Sequence, residues 1–309
     1  MFTVMSLLAD AMGSHLADTY RRLYGGQDPE FGRILDSVGR LVIERIANSD
    51  ALYHNANHTA LVTLVGESIL HGRLLSQPVE PADWLHFMLA LLMHDIGYVR
   101  GICPQDQSDR FVADESGRMV GLPRGASDAA LAPYHIDRSK IAVRARFASV
   151  RGIDAERIAR AIEMTRFPVP DDGLHDETDT EPGLVRAADL IGQLADPLYM
   201  RRLNALYYEF TETGRAAQHG YTSPADMAER YPAFFWSAVE PLVGDALRYL
   251  ELTAEGKEWI ANLYSHVFSI EHQRPRLGPQ TAADGGDGAN PVREPRAPAR
   301  RPDTRHTRP

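Results

Sequence analysis

Cysteine is almost absent from this chain. Cys103 is the single one in 309 residues, which excludes an internal disulfide and any CxxC metal or redox motif and suits a reducing compartment. A cytoplasmic location is the expectation. Long apolar runs are also missing. The longest, Trp84 to Met93, is interrupted by His86 and falls far short of the ~20 residues of a membrane helix. The opening Phe2-Thr3-Val4-Met5-Ser6-Leu7-Leu8 has no basic flank and meets Asp10 at once, so it does not read as a signal peptide and no membrane partner is expected. Basic excess is lacking too: 33 Lys and Arg stand against 42 Asp and Glu, a formal charge of −9. Beyond His272 lie eight Arg and four acids, so the tail is +4 and the body −13. A body of that sign is not expected to grip nucleic acid through its phosphates. Any phosphate it handles needs a cation. Sustained two-residue alternation and repeats at solenoid spacing are not found.

Apolar residues recur instead at helical spacing, as in Ile34, Val38, Leu41, Val42 and Ile46, then Leu61, Leu64, Val65 and Ile69. Further helices are predicted at about Pro81–Gly97, Ser127–Ser149, Asp154–Thr165, Leu184–Leu194 and Ala233–Leu252. The fold class is all-α. Two polar stretches, Arg100–Arg124 and the acidic Phe167–Pro182, read as loops over this scaffold. From Gln273 the chain has seven Pro and four Gly and, among large aliphatics, Leu277 and Val292 alone. It cannot bury enough surface to offset its ordering entropy, so disorder is expected there.

Chemistry concentrates in three places. Tyr53-His54-Asn55-Ala56-Asn57-His58 carries two imidazoles four residues apart, which a helix would place on one face, one turn from each other. Leu89-Ala90-Leu91-Leu92-Met93 runs straight into His94-Asp95-Ile96-Gly97. A carboxylate and an imidazole at the end of an apolar helix need partners, and a divalent cation satisfies both. Leu184 to Gly192 is a second apolar helix interrupted by Asp189. That carboxylate either pairs with Arg186 or Arg201 or closes a metal site with His58, His94 and Asp95.

The order and context of these residues resemble the HD superfamily of metal-dependent phosphohydrolases, over about Tyr53–Leu252. The segment from Tyr53 to His58 is similar to the His-Asn-x-x-His signature of class I cyclic nucleotide phosphodiesterases. The resemblance implies an HD-type helical bundle over residues 49–272, with N-terminal helices over 1–48 packing on it and a disordered Pro/Arg-rich tail over 273–309. It implies that His54 is the proton donor to the leaving oxygen, and that His58, His94, Asp95 and Asp189 hold metal. Tyr231 to Asp245 is similar to the segment carrying that family's base-recognising Gln and Phe clamp: Phe234 falls at the clamp, Tyr231 falls where the Gln would be, and Gln193 is a candidate substitute. Tyr98 stands where a third His is placed. The stretch around His135 resembles a later His segment of HD-GYP phosphodiesterases, which makes His135 a candidate ligand for a second metal, with Glu163 a weaker one and the Gly-Tyr-Pro motif absent.

The activity implied is hydrolysis of a phosphoester, a nucleotide phosphodiester first of all, by metal-bound hydroxide with Asp95 in the metal centre and His54 as general acid. One or two divalent ions, Mg, Mn, Fe or Zn, would serve. A mono-/triphosphate or alarmone phosphohydrolase and a non-catalytic HD-like regulatory module are the alternatives. Arg166 and Lys140 are possible phosphate contacts. His71 and His86 read as structural histidines, and the acidic loop around His175 as solvated.

Overall fold

The protein is described from residue 3 to residue 272 in a computed structural model. Thirteen α-helices organise the described residues: α1 (Val4–Tyr24), α2 (Pro29–Ile46), α3 (Ala56–Leu74), α4 (Pro81–Met93), α5 (His135–Phe147), α6 (Ala155–Glu163), α7 (Glu181–Leu194), α8 (Tyr199–Glu212), α9 (Arg215–Gln218), α10 (Pro224–Glu229), α11 (Tyr231–Phe234), α12 (Glu240–Leu250) and α13 (Ala254–Glu271). The all-α expectation is met, and no described helix is long and apolar enough to cross a membrane. The expected disorder beyond Gln273 lies outside the described residues.

The centre is α4, whose residues from Trp84 to Met93 are all buried. Around it α3, α6 and α7 pack, and α2 and α3 join α1 to the same apolar cluster. Burial on all sides explains why α4 reads as a continuous apolar run rather than a stripe. Side chains missing at three points bring backbones together. A Cβ at Gly66 would overlap Leu91 of α4, one at Gly192 would overlap Val62 of α3, and one at Gly97 would overlap the His135 carbonyl of α5. These close approaches bring the start of α3, the end of α4, the start of α5 and the middle of α7 to one place.

Boundaries differ from expectation where backbone hydrogen bonding is interrupted. The helix from Pro81 stops at Met93 and tightens into a 3₁₀ turn, Ile96–Tyr98. The helix expected from Ser127 is a 3₁₀ turn, Asp128–Leu131, before α5, with Pro133 between them unable to donate to a continuing helix. Pro241 sits in the first turn of α12, and the preceding residues Phe235–Val239 take π-type bonding. Within the expected loop 100–124 lies a small antiparallel hairpin, β1 (Arg110–Val112) with β2 (Met119–Gly121), Phe111 opposite Val120. Fully buried Arg138 secures this excursion, donating to both Asp106 oxygens at 2.9 Å and to the carbonyls of Gly97, Val99 and Val112.

Candidate metal centre and its cavity

Four side chains from α3, α7 and the end of α4 converge. His58 Nε2 lies 3.4 Å from His94 Nε2 and 3.3 Å from both Asp95 Oδ2 and Asp189 Oδ1. His94 Nε2 lies 3.2 Å from Asp95 Oδ2 and 3.5 Å from Asp189 Oδ1. Donor atoms about 2.1 Å from one cation are separated by roughly 3 to 3.4 Å, so these spacings fit a single ion. The His94 Nδ1–H donates to the Leu91 carbonyl at 2.7 Å, which turns the Nε2 lone pair towards the cluster. Asp95 Oδ2 is buried with no hydrogen-bond partner among the described residues. A buried carboxylate oxygen left in that state is costly unless a cation satisfies it. His58, His94 and Asp95 could therefore hold a metal ion, and Asp189 faces the same point. Neither Arg186 nor Arg201 pairs with Asp189, so the ion-pair alternative is set aside by the geometry.

Protons compete for this position. Burial opposes a charged His58, but the facing Asp189 and Asp95 carboxylates outweigh it and push the imidazole up to about 9. Burial likewise opposes charge on His94, and the two carboxylates hold it well above the ordinary range. Asp95 and Asp189, whose ionisation burial also opposes, are held well below the usual carboxylate range by the facing imidazoles. The cluster favours positive charge at its centre.

His54 is not on a helix, contrary to the expected one-face pair. Asn55 caps α3 by accepting from the Asn57 N–H at 3.0 Å, which leaves His54 in the preceding bend, its ring centroid still 5.4 Å from that of His58. Glu209 of α8 fixes it. The His54 Nδ1–H donates to Glu209 Oε2 at 2.6 Å, and the backbone N–H groups of Tyr53 and His54 donate to Oε1 at 2.6 and 3.2 Å. Burial opposes charge on Glu209, yet His54 and these donors keep its carboxyl below its ordinary value. No sequence signal marks Glu209, which lies 155 positions from His54. The Tyr98 ring stacks on His54 at 4.7 Å and on His135 at 4.6 Å, filling the place where a third His was the comparison. The His135 Nδ1–H donates to the Ala132 carbonyl at 2.6 Å, leaving Nε2 3.6 Å from Asp95 Oδ1. Burial pushes His135 down to about 4, so it offers a neutral nitrogen beside the outer oxygen of Asp95.

A cavity of about 160 Å³ opens onto this cluster. His54, Asp95, His135 and Asp189 line it, together with Gln193, Tyr231 and Phe234. These candidate residues therefore meet in one place, with His58 and His94 buried below. Phe234 meets Phe167 edge-on at 5.8 Å, and the buried Tyr231 hydroxyl has no partner among the described residues. Glu163 does not approach the cluster. It pairs with Arg166 and, at 2.6 Å, with Lys140, which also occupies both cations named as phosphate contacts. His86 is structural as expected: its Nδ1–H donates to the Ala82 carbonyl, and its Nε2 accepts from the Asp154 N–H. His71 packs on Trp84 at 5.4 Å. The acidic loop exposes Asp171, Asp172, Asp176 and Glu177 as expected, while His175 itself is buried against Asp172.

A profile of the family described as Npun_R2479-like matches residues 2–273. No curated protein and no solved structure matches the chain.

Proposed function

The chain belongs to the Npun_R2479-like family, and we propose that it is a metal-dependent phosphohydrolase of the cytoplasm acting on a small phosphoester. The observation that carries this reading is the convergence of His58, His94, Asp95 and Asp189 around one point, with an orphaned Asp95 oxygen, at the floor of a cavity that also holds His54. When bound there, a divalent cation offsets charge on the phosphoryl oxygens and acidifies water. The protein's own groups supply the rest. His54, aligned by Glu209, presents Nε2 as the proton donor to the departing oxygen. Glu209, bonded to Nδ1, fixes which nitrogen faces the substrate. Tyr98 holds the ring plane by stacking. His135 could join Asp95 in holding a second ion. Gln193, Tyr231 and Phe234 are placed to contact the organic part of the substrate, in keeping with the resemblance to nucleotide phosphodiesterases. The test is metal analysis of the purified protein with hydrolysis assays in added Mn²⁺ or Mg²⁺. His94→Ala with Asp95→Ala should lose both metal and turnover; full activity in that double variant would refute the reading. His54→Ala should keep metal and lose about 10² to 10⁴ in kcat.

A further inference from the structure

The same cavity carries more positive charge than its metal centre needs. Two arginines line it without a carboxylate partner among the described residues: Arg186 of α7 and Arg215 of α9. Arg186 is 2% exposed, donates to the His175 carbonyl at 2.7 Å, and keeps a buried Nε with no partner. Asp176 acts on it electrostatically but is exposed and beyond ion-pair distance. Arg215 reaches across the mouth with its guanidinium 5.9 Å above the Phe210 ring and one long contact, 3.4 Å, to the Phe167 carbonyl. It lies close enough to His135 and Tyr98 for its charge to act on both. The third cavity arginine, Arg166, is neutralised by Glu163 and Asp137.

One divalent ion would cancel Asp95 and Asp189, and Glu209 is already engaged by the His54 ring and two backbone N–H groups. Arg186 and Arg215 then remain, so the loaded cavity is complementary to a dianion. A phosphodiester brings a single negative charge, whereas a phosphomonoester brings about −1.5 to −2 near neutral pH. We propose that Arg215 is the specificity-determining anion contact of this site and that it selects phosphomonoesters over phosphodiesters. A planar guanidinium with free donors suits two oxygens of one phosphoryl group. Arg186, deeper and already bound to a backbone carbonyl, supplies fixed positive potential. The apolar rim of Phe167, Phe210 and Phe234 accepts the organic part of such an ester.

This inference rests on the phosphohydrolase reading for its turnover but not for its binding, and the experiment separates the two. Full-length protein loaded with Mn²⁺ would be titrated with inorganic phosphate by calorimetry, and assayed on p-nitrophenyl phosphate and bis(p-nitrophenyl) phosphate. The wild type should bind phosphate and favour the monoester. Arg215→Gln should weaken phosphate binding about tenfold or more and collapse the monoester-to-diester ratio of kcat/KM by a similar factor, chiefly through KM. Arg215→Lys, which keeps the charge and loses the fork, should recover part of both, with bound Mn²⁺ equal in all three proteins. Phosphate affinity unchanged in Arg215→Gln, or a wild type that prefers the diester, overturns the proposal. Arg215-dependent phosphate binding with neither ester hydrolysed would instead sustain the anion site and refute the hydrolase reading.

Discussion

His54 and Glu209 form a pair whose partners could not be read from each other's neighbourhood in the chain. The carboxylate accepts from the ring and from two backbone N–H groups, so it sets both the ring's tautomer and its position. Glu209→Gln keeps the size and an acceptor but removes the charge. It should lower kcat by about 10²-fold, with KM and metal content little changed. Metal binding itself should be proton-linked. Because His58 is pushed up to about 9 by Asp189 and Asp95 against the cost of burial, a cation must displace a proton at neutral pH. Apparent Mn²⁺ affinity should rise about tenfold per pH unit for each proton displaced, from pH 6 towards 9, and then level off. A pH-independent affinity measured by calorimetry would contradict this.

Helix junctions decide whether these side chains meet. Gly97 lies in the turn after α4, and a Cβ there would overlap the His135 carbonyl. Gly97→Ala should cost about 1 to 3 kcal/mol and also displace Asp95 from His135, weakening metal binding. Gly72 is the matched comparison. Its Cβ would overlap the Tyr249 carbonyl of α12, at the far end of α3 from His58. Gly72→Ala should lower the melting temperature by a similar amount and leave metal affinity unaltered, as thermal scans and metal titrations would show. Between α1 and α3, buried Glu67 accepts from Thr19 at 2.9 Å and meets His15 at 2.6 Å. The Glu67 contact raises His15, so this pair stabilises fully below about pH 6.5 and fades as pH climbs through the raised value. The thermal penalty of Glu67→Gln should accordingly be larger at pH 5.5 than at pH 9.

For the molecule as a whole, the cluster joins α3, α7 and the end of α4 around a point the core cannot fill with apolar atoms. A cation bound only by the folded protein adds stability by mass action, about 2.7 kcal/mol at a hundredfold excess over Kd. Mn²⁺ should therefore raise the melting temperature by several degrees, chelation should reverse this, and the His94/Asp95 double alanine variant should show no rise.

The all-α class was legible in the sequence because a helix writes its period locally, in Ile34, Val38 and Val42 as much as in the unbroken apolar run of α4. The ligand candidates were legible too, because His94, Asp95 and Asp189 interrupt apolar helices where polar atoms demand an explanation. Where hydrogen bonding breaks was less visible: Pro133 and Pro241 divide two expected helices, and Asn55 caps α3 and leaves His54 outside it. Partnership across distance was not legible at all. Glu209 beneath His54, Tyr98 between two imidazoles, Glu163 drawn away by Lys140 and Arg166, and Arg215 without a carboxylate are settled by packing between α5, α6, α8 and α9. A residue's chemistry is fixed by its type, but its charge balance depends on which neighbours the folded chain brings within a few ångströms, and no local pattern records that.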